Sequence, residues 1–145
     1  MTPANGSLAH LGMLVFDVPL PPRLQSPNKK YEDWHDRSKA AKSYKETVYV
    51  LALAASREQG WVKPQRATIH LLFGLKRPGR ALLQWREQYY PSDWDNGVAS
   101  FKVGIDAIKN AGLIVDDDWE HLSCGGVEAT FTDGPWIRVT LTKEG

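Results

Sequence analysis

The sequence predicts an α+β fold, a mixed β-sheet covered by two main helices. Three observations predict it. Two stretches carry apolar residues at helical spacing, short β-prone runs alternate with them, and Gly, Pro, Asn and Asp clusters fall between. The order is strand, helix, two strands, helix, then three strands, which packs most simply as layers of sheet and helix. A length of 145 residues suits one domain spanning 1–145. A chain of that size buries roughly 70% of the surface it exposes when unfolded, enough for a real core.

Residues 11–18 are apolar and β-prone, and the strand stops at Pro19-Leu20-Pro21-Pro22. Residues 23–36 form a long polar loop, of the kind that is usually functional or disordered. The spacing of Ala41, Tyr44, Val48, Leu51 and Ala55 predicts a helix over 37–57, with Lys39, Lys42 and Lys45 off the apolar stripe and Gly60 and Pro64 ending it. Residues 66–75 form a strand, Arg77-Pro78-Gly79-Arg80 a turn, and 81–89 the returning strand of a hairpin. A second helix runs from 98 or 100 to 111 with Val98, Phe101, Ile105 and Ile108 on one face, and Gly112 as its left-handed cap. Residues 113–115 make a short apolar strand. The chain closes in a hairpin, 127–131 with 136–141, turned at Thr132-Asp133-Gly134-Pro135.

Composition removes several classes of function. The longest apolar runs, 51–55 and 69–73, fall far short of the ~20 residues a membrane span needs. The N-terminus lacks the pattern of a signal peptide. Cys124 is the only cysteine, so there is no intrachain disulfide and no cysteine-rich zinc site, as suits the cytoplasm. No glycine-rich phosphate loop, Ser-His-Asp order or zinc spacing is present. Net charge is +1, yet it is unevenly spread. Residues 21–86 carry 14 Lys and Arg against 5 Asp and Glu, and residues 87–145 carry 4 against 11. A basic front half and an acidic back half suggest one surface for a polyanion and another for cations; mutual attraction of the halves is the plainer explanation.

Six aspartates fall between 93 and 118: Asp93, Asp95, Asp106, Asp116, Asp117 and Asp118. Asp93 and Asp95 lie two apart, on one side of an extended segment. The helix that follows spans about 16–21 Å at 1.5 Å per residue, and a return strand of five residues covers about 16–17 Å. The return therefore carries Asp116 or Asp117 back to the helix start, and three carboxylates converge. Bare, they would repel until one took up a proton; a hard divalent cation resolves the conflict, magnesium with manganese as a substitute. Lys102, near the helix start, is placed to pair with a phosphate or with developing charge. Taken singly, Asp95 or Asn96 is a helix cap, Asp116 to Asp118 a solvated turn and Lys102 a surface lysine.

Asp93-Trp94-Asp95-Asn96, Lys102, Asp106-Ala107-Ile108, Ala111-Gly112 and Val115-Asp116-Asp117 together resemble the signature of the RusA-type Holliday junction resolvases. These are small endodeoxyribonucleases of cells and phages. The opening strand, its proline run and the basic loop resemble the family's start, and the likeness spans about residues 13 to 142, sharp only over 93–117. The resemblance implies Asp93, Asp95 and Asp117 as magnesium ligands and as catalytic residues with Lys102. It implies an intertwined homodimer acting on four-way DNA junctions, with paired nicks that leave 5′-phosphate and 3′-hydroxyl ends. It also implies a bacterial or phage-infected cytoplasm. Two-fold symmetry suits a junction cut on two opposed strands. The chain departs from the pattern in an insertion of about three residues at Gly97-Val98-Ala99, and in Tyr89-Tyr90-Pro91-Ser92 where the family often has a basic run.

Candidate DNA-backbone contacts are Arg23, Lys29, Lys30 and Arg37 in the loop, and Lys76, Arg77 and Arg80 in the turn, which replace the missing basic run. His70 is read as structural, and His121 as a less favoured outer partner of the acidic site. Trp94 and Trp119 are read as packing around that site, with stacking on an unpaired base as the alternative. Two other functions stay open: a non-catalytic junction-binding protein, and a metal-dependent nuclease acting on flaps or other branched nucleic acid.

Overall fold

The computed structural model describes residues 11–22, 34–76, 94–132 and 135–144. Among the described residues seven elements follow in order: β1 (Met13–Val18), α1 (Trp34–Gln59), β2 (Ala67–Lys76), α2 (Trp94–Ser100), α3 (Lys102–Asn110), β3 (Leu122–Thr132) and β4 (Trp136–Lys143). Among the described residues they build a four-stranded sheet in the order β1-β4-β2-β3. The sheet is mixed: β4 is antiparallel to both β1 and β2, and β3 is parallel to β2. The α+β class expected from the element order is what forms. No described helix is long and apolar enough to cross a membrane.

Alternation along the strands makes one face apolar. Leu14, Phe16 and Val18 of β1, Ile137, Val139 and Leu141 of β4, and Ile69, Leu71 and Phe73 of β2 are buried on it. Register aligns them in rows, with Leu14 opposite Leu141 and Leu141 opposite Ile69. Helix α1 supplies Tyr44, Val48, Ala52 and Ala55 to this core. Its buried stripe passes through Ala52 rather than the expected Leu51, which is exposed. At the end of α1, the Gln59 side chain acts as a short strand on β1. Its amide nitrogen donates to the Val15 carbonyl at 2.7 Å, and its amide oxygen accepts from the Val15 N–H at 3.2 Å.

Several expectations need correction. Helix α1 starts at Trp34 and takes in the last residues of the expected loop. Residues 113–115 are not a strand: Leu113 and Ile114 are buried, but their backbone bends instead of pairing in the sheet. Strands β3 and β4 are only three residues apart in the sequence yet do not pair with each other, because β2 lies between them. Neither side of β2 is open to a hairpin partner, since β4 and β3 flank it. The strand expected over 81–89 lies outside the described residues.

Candidate active site at the start of the third helix

Phe101 decides where α3 begins. The apolar spacing runs through it, but its backbone (φ −91°, ψ 6°) interrupts the helix, and its N–H is shared between the carbonyls of Gly97 (3.2 Å) and Val98 (3.1 Å). The ring is fully buried, edge-on to Tyr44 with 6.4 Å between ring centroids. It also lies so close to Gly104 that a β-carbon there would stand 2.2 Å from the ring. The second helix is therefore two, and Lys102 becomes the first residue of α3.

The other end of α3 closes as expected. Gly112 has φ 84°, its N–H bonds to the Lys109 carbonyl at 2.9 Å, and the Leu113 N–H reaches Ile108 at 3.2 Å. These are the two bonds of a Schellman cap. The chain then turns back along the helix, anchored by the Trp61 indole N–H, which donates to the Leu113 carbonyl at 2.9 Å.

The return brings three consecutive aspartates to three different partners. Asp116 accepts from the Asp117 N–H at 2.7 Å and stands 3.5 Å from the Lys109 ammonium, toward the end of α3. Asp117 is ion-paired with Lys102, at the start of α3. Asp118 caps the following turn: its Oδ1 accepts from the Glu120 and His121 N–H groups at 3.1 Å each and lies 2.6 Å from His121 Nδ1. Of Asp116 and Asp117, both left open by strand length, the first faces the end of α3 and the second its start. Asp117 sits at the helix start with Lys102.

The Lys102 ammonium holds the Asp117 carboxyl below the usual carboxylate range, with the Asp116 hydrogen bond acting the same way against partial burial. In turn, the bond to Asp117 raises the Lys102 pKa, helped by Asp106 at 3.6 Å. Both groups are charged at neutral pH. Asp95 lies exposed in the first turn of α2, its carboxylate accepting from the Asn96 N–H at 3.0 Å. Val98, one turn further on, lines a groove of about 230 Å³ together with Asp117. Among the described residues no three His, Cys, Asp or Glu side chains stand close enough to hold a metal ion. Asp93 lies outside the described residues. The donors present are carboxylate oxygens, one of them held ionised, and that chemistry fits magnesium or manganese.

Of the expected DNA contacts, Arg37 is exposed in the first turns of α1. Lys76 ends β2 and its side chain is not described. Arg23, Lys29, Lys30, Arg77 and Arg80 lie outside the described residues. His70 stands 2.9 Å from Glu128 across β2 and β3. Trp94 and Trp119 do not pack around the site: they are 70% and 91% exposed.

Sequence reasoning missed Arg66. Its guanidinium donates to the carbonyls of Trp119 and Glu120 at 2.7 Å each and to the Ser123 hydroxyl, and it pairs with Glu144 at 3.3 Å. It pins the turn after Asp117 from more than fifty positions away, and no local pattern announces that. No protein-family model matches the chain, and comparison with curated proteins finds no significant match.

Proposed function

We propose that this chain is a magnesium-dependent, structure-selective endodeoxyribonuclease that resolves four-way DNA junctions by paired nicks leaving 5′-phosphate and 3′-hydroxyl ends. The observation that carries the reading is the Lys102–Asp117 pair. A helix, a Schellman turn and a return segment join two residues fifteen apart, and these are two of the four that the RusA-type signature makes catalytic. The same resemblance supplies the RusA-like form of the fold, the intertwined homodimer and the cytoplasmic setting.

In this reading Asp93, Asp95 and Asp117 would hold magnesium, which would supply charge stabilisation at the phosphoryl group and a more acidic water. Asp117 arrives ionised, so no proton must leave it first. Lys102 stays cationic and is positioned for a phosphate oxygen, and Asp106 gives it an anchor independent of Asp117. The basic front half of the chain supplies phosphate contacts for the arms of the junction.

The test is to incubate the pure protein with labelled four-way junction, flap, linear duplex and RNA, in magnesium or in EDTA. Junction cut in magnesium alone, with ligatable nicks, is the expected result. Absence of cutting on every substrate would overturn the enzymatic reading, and cutting in EDTA would overturn the metal mechanism. Cutting confined to flaps or RNA would reassign the substrate.

A further inference from the structure

Resting on the endonuclease reading, we propose that the first half of α1 is a docking ridge for the DNA sugar-phosphate backbone, carried by Lys39, Lys42 and Lys45. The three fall at three-residue spacing, so about 4.5 Å of helix rise separates each from the next. Tyr44 and Val48 turn into the core, which leaves Lys39 and Lys42 exposed and Lys45 half-buried. Beside them a cleft of about 530 Å³ opens between α1 and the end of α3, lined by Lys42, Lys45, Glu46, Tyr49, Val50 and Asn110.

These lysines differ from other cations of the fold. Arg66, Lys102, Lys109 and Arg138 are each ion-paired with a carboxylate. Lys39, Lys42 and Lys45 have no ion-pair partner among the described residues. Glu46 follows Lys42 at the spacing of a helical ion pair, yet the two do not pair. Even with Glu46 beside them, the ridge keeps an excess of positive charge facing solvent.

Charge and chemistry select the occupant. Lysines spaced along a helix suit an anion with closely spaced charges, and each DNA strand carries a phosphate about every 3.4 Å of its axis. Ammonium groups meet phosphates as point charges. The Tyr49 hydroxyl and the Asn110 amide add uncharged donors of the kind that hold phosphate oxygens. Lysine is depleted from protein interfaces, which argues against an acidic protein. The main apolar stripe of α1 is already buried in the core, which argues against a membrane surface. The ridge also lies within reach of the candidate active site. Helix α3 runs from Lys102 at that site to Asn110 at the cleft, about 12 Å at 1.5 Å per residue. That length is about three to four base-pair steps, so one arm of a junction can touch both.

The test measures binding of the full-length protein to labelled four-way junction and linear duplex in EDTA, across a salt series. Junction cutting in magnesium is followed in parallel. One variant combines Lys39→Gln, Lys42→Gln and Lys45→Gln; glutamine keeps the helix propensity, and circular dichroism with thermal unfolding checks the fold. A control combines Arg57→Gln with Lys63→Gln, exposed cations beyond the ridge. The triple variant should weaken binding to both DNAs about ten- to a hundredfold and flatten the slope of log affinity against log salt by about 2 to 3. The control should keep the wild-type slope. If wild-type protein binds and cuts junction while the triple variant keeps its affinity and slope, the ridge falls and the endonuclease reading stands. If the triple variant loses both but wild type cuts nothing, the ridge stands and the endonuclease reading falls. If wild type binds neither DNA, both fall. An equal loss in the control would reduce the ridge to bulk charge and overturn the proposal. Poly-glutamate bound by wild type as tightly as duplex, and lost in the triple variant, would assign the ridge to an acidic protein and overturn it too.

Discussion

The two halves of the sheet differ in what covers them. Over β1, β4 and β2, nearly every residue on the core face is buried beneath the helices, from Leu14 and Phe16 through Ile137 and Leu141 to Ile69. On β3 the cover runs out: Leu122 is buried, but Cys124 and Ala129 on the same face are exposed and Val127 is half-buried. The candidate chemistry gathers at this margin. Asp117, Asp118 and Trp119 precede β3, and Val98 and Ile105 reach over from the short helices. The covered half is closed over the core, and the open half keeps an apolar groove.

Substitutions can break or sharpen that contrast. The largest stability loss is expected from Ile137→Ala, fully buried on the central strand β4, at about 2–5 kcal/mol in denaturant unfolding. Cys124→Ala on the open half should cost less than about 0.5 kcal/mol; equal losses would erase the distinction. Gly104→Ala is expected to cost about 1–3 kcal/mol, because the Phe101 ring already occupies the space. A neutral result would mean that Phe101 moves freely and does not fix the start of α3.

Gln59→Ala should lose about 1–2 kcal/mol by removing the side-chain bonds to Val15. The smallest effect concerns pH. Asp117 has a depressed pKa, so its contribution is present above the ordinary carboxylate value of 3.8 and is lost as pH falls through the lowered one. Lys102 has a raised pKa, so its contribution is present below 10.5 and is lost as pH rises through the raised value. Stability should therefore be flat in this pair across neutral pH. Lys102→Met should move the NMR titration of Asp117 upward toward the ordinary range; an unmoved titration would show that the pair does not persist in solution.

How much was legible in the sequence follows from how local each feature is. The α1 stripe, the Gly112 cap and the return of the acidic run depend on residues close in the chain, and each could be read. The break at Phe101 could not, since Val98, Phe101, Ile105 and Ile108 keep helical spacing across it. It comes from burial of the ring against Tyr44 and Gly104. The final hairpin failed for a similar reason. Only three residues separate β3 from β4 in the sequence, but β2, some fifty residues earlier, takes the place between them. Apolar 113–115 reads as strand, whereas Leu113 caps α3 and accepts from Trp61, Ile114 is buried beside it, and Val115 is exposed. At the site, the return of the acidic run to the helix start was legible, whereas the choice of Asp117 over Asp116 came only from the resemblance. The hold of Arg66 on the turn that carries Trp119 was not.

The most direct test of the central claim compares wild type with Asp117→Asn on one labelled four-way junction in magnesium, measuring binding and single-turnover cutting together. The substitution removes a charge from a surface ion pair and should leave the fold intact. Cutting should fall by more than about a hundredfold while junction affinity stays within a few-fold of wild type. Undiminished cutting by Asp117→Asn would contradict the assignment of this corner as the catalytic centre.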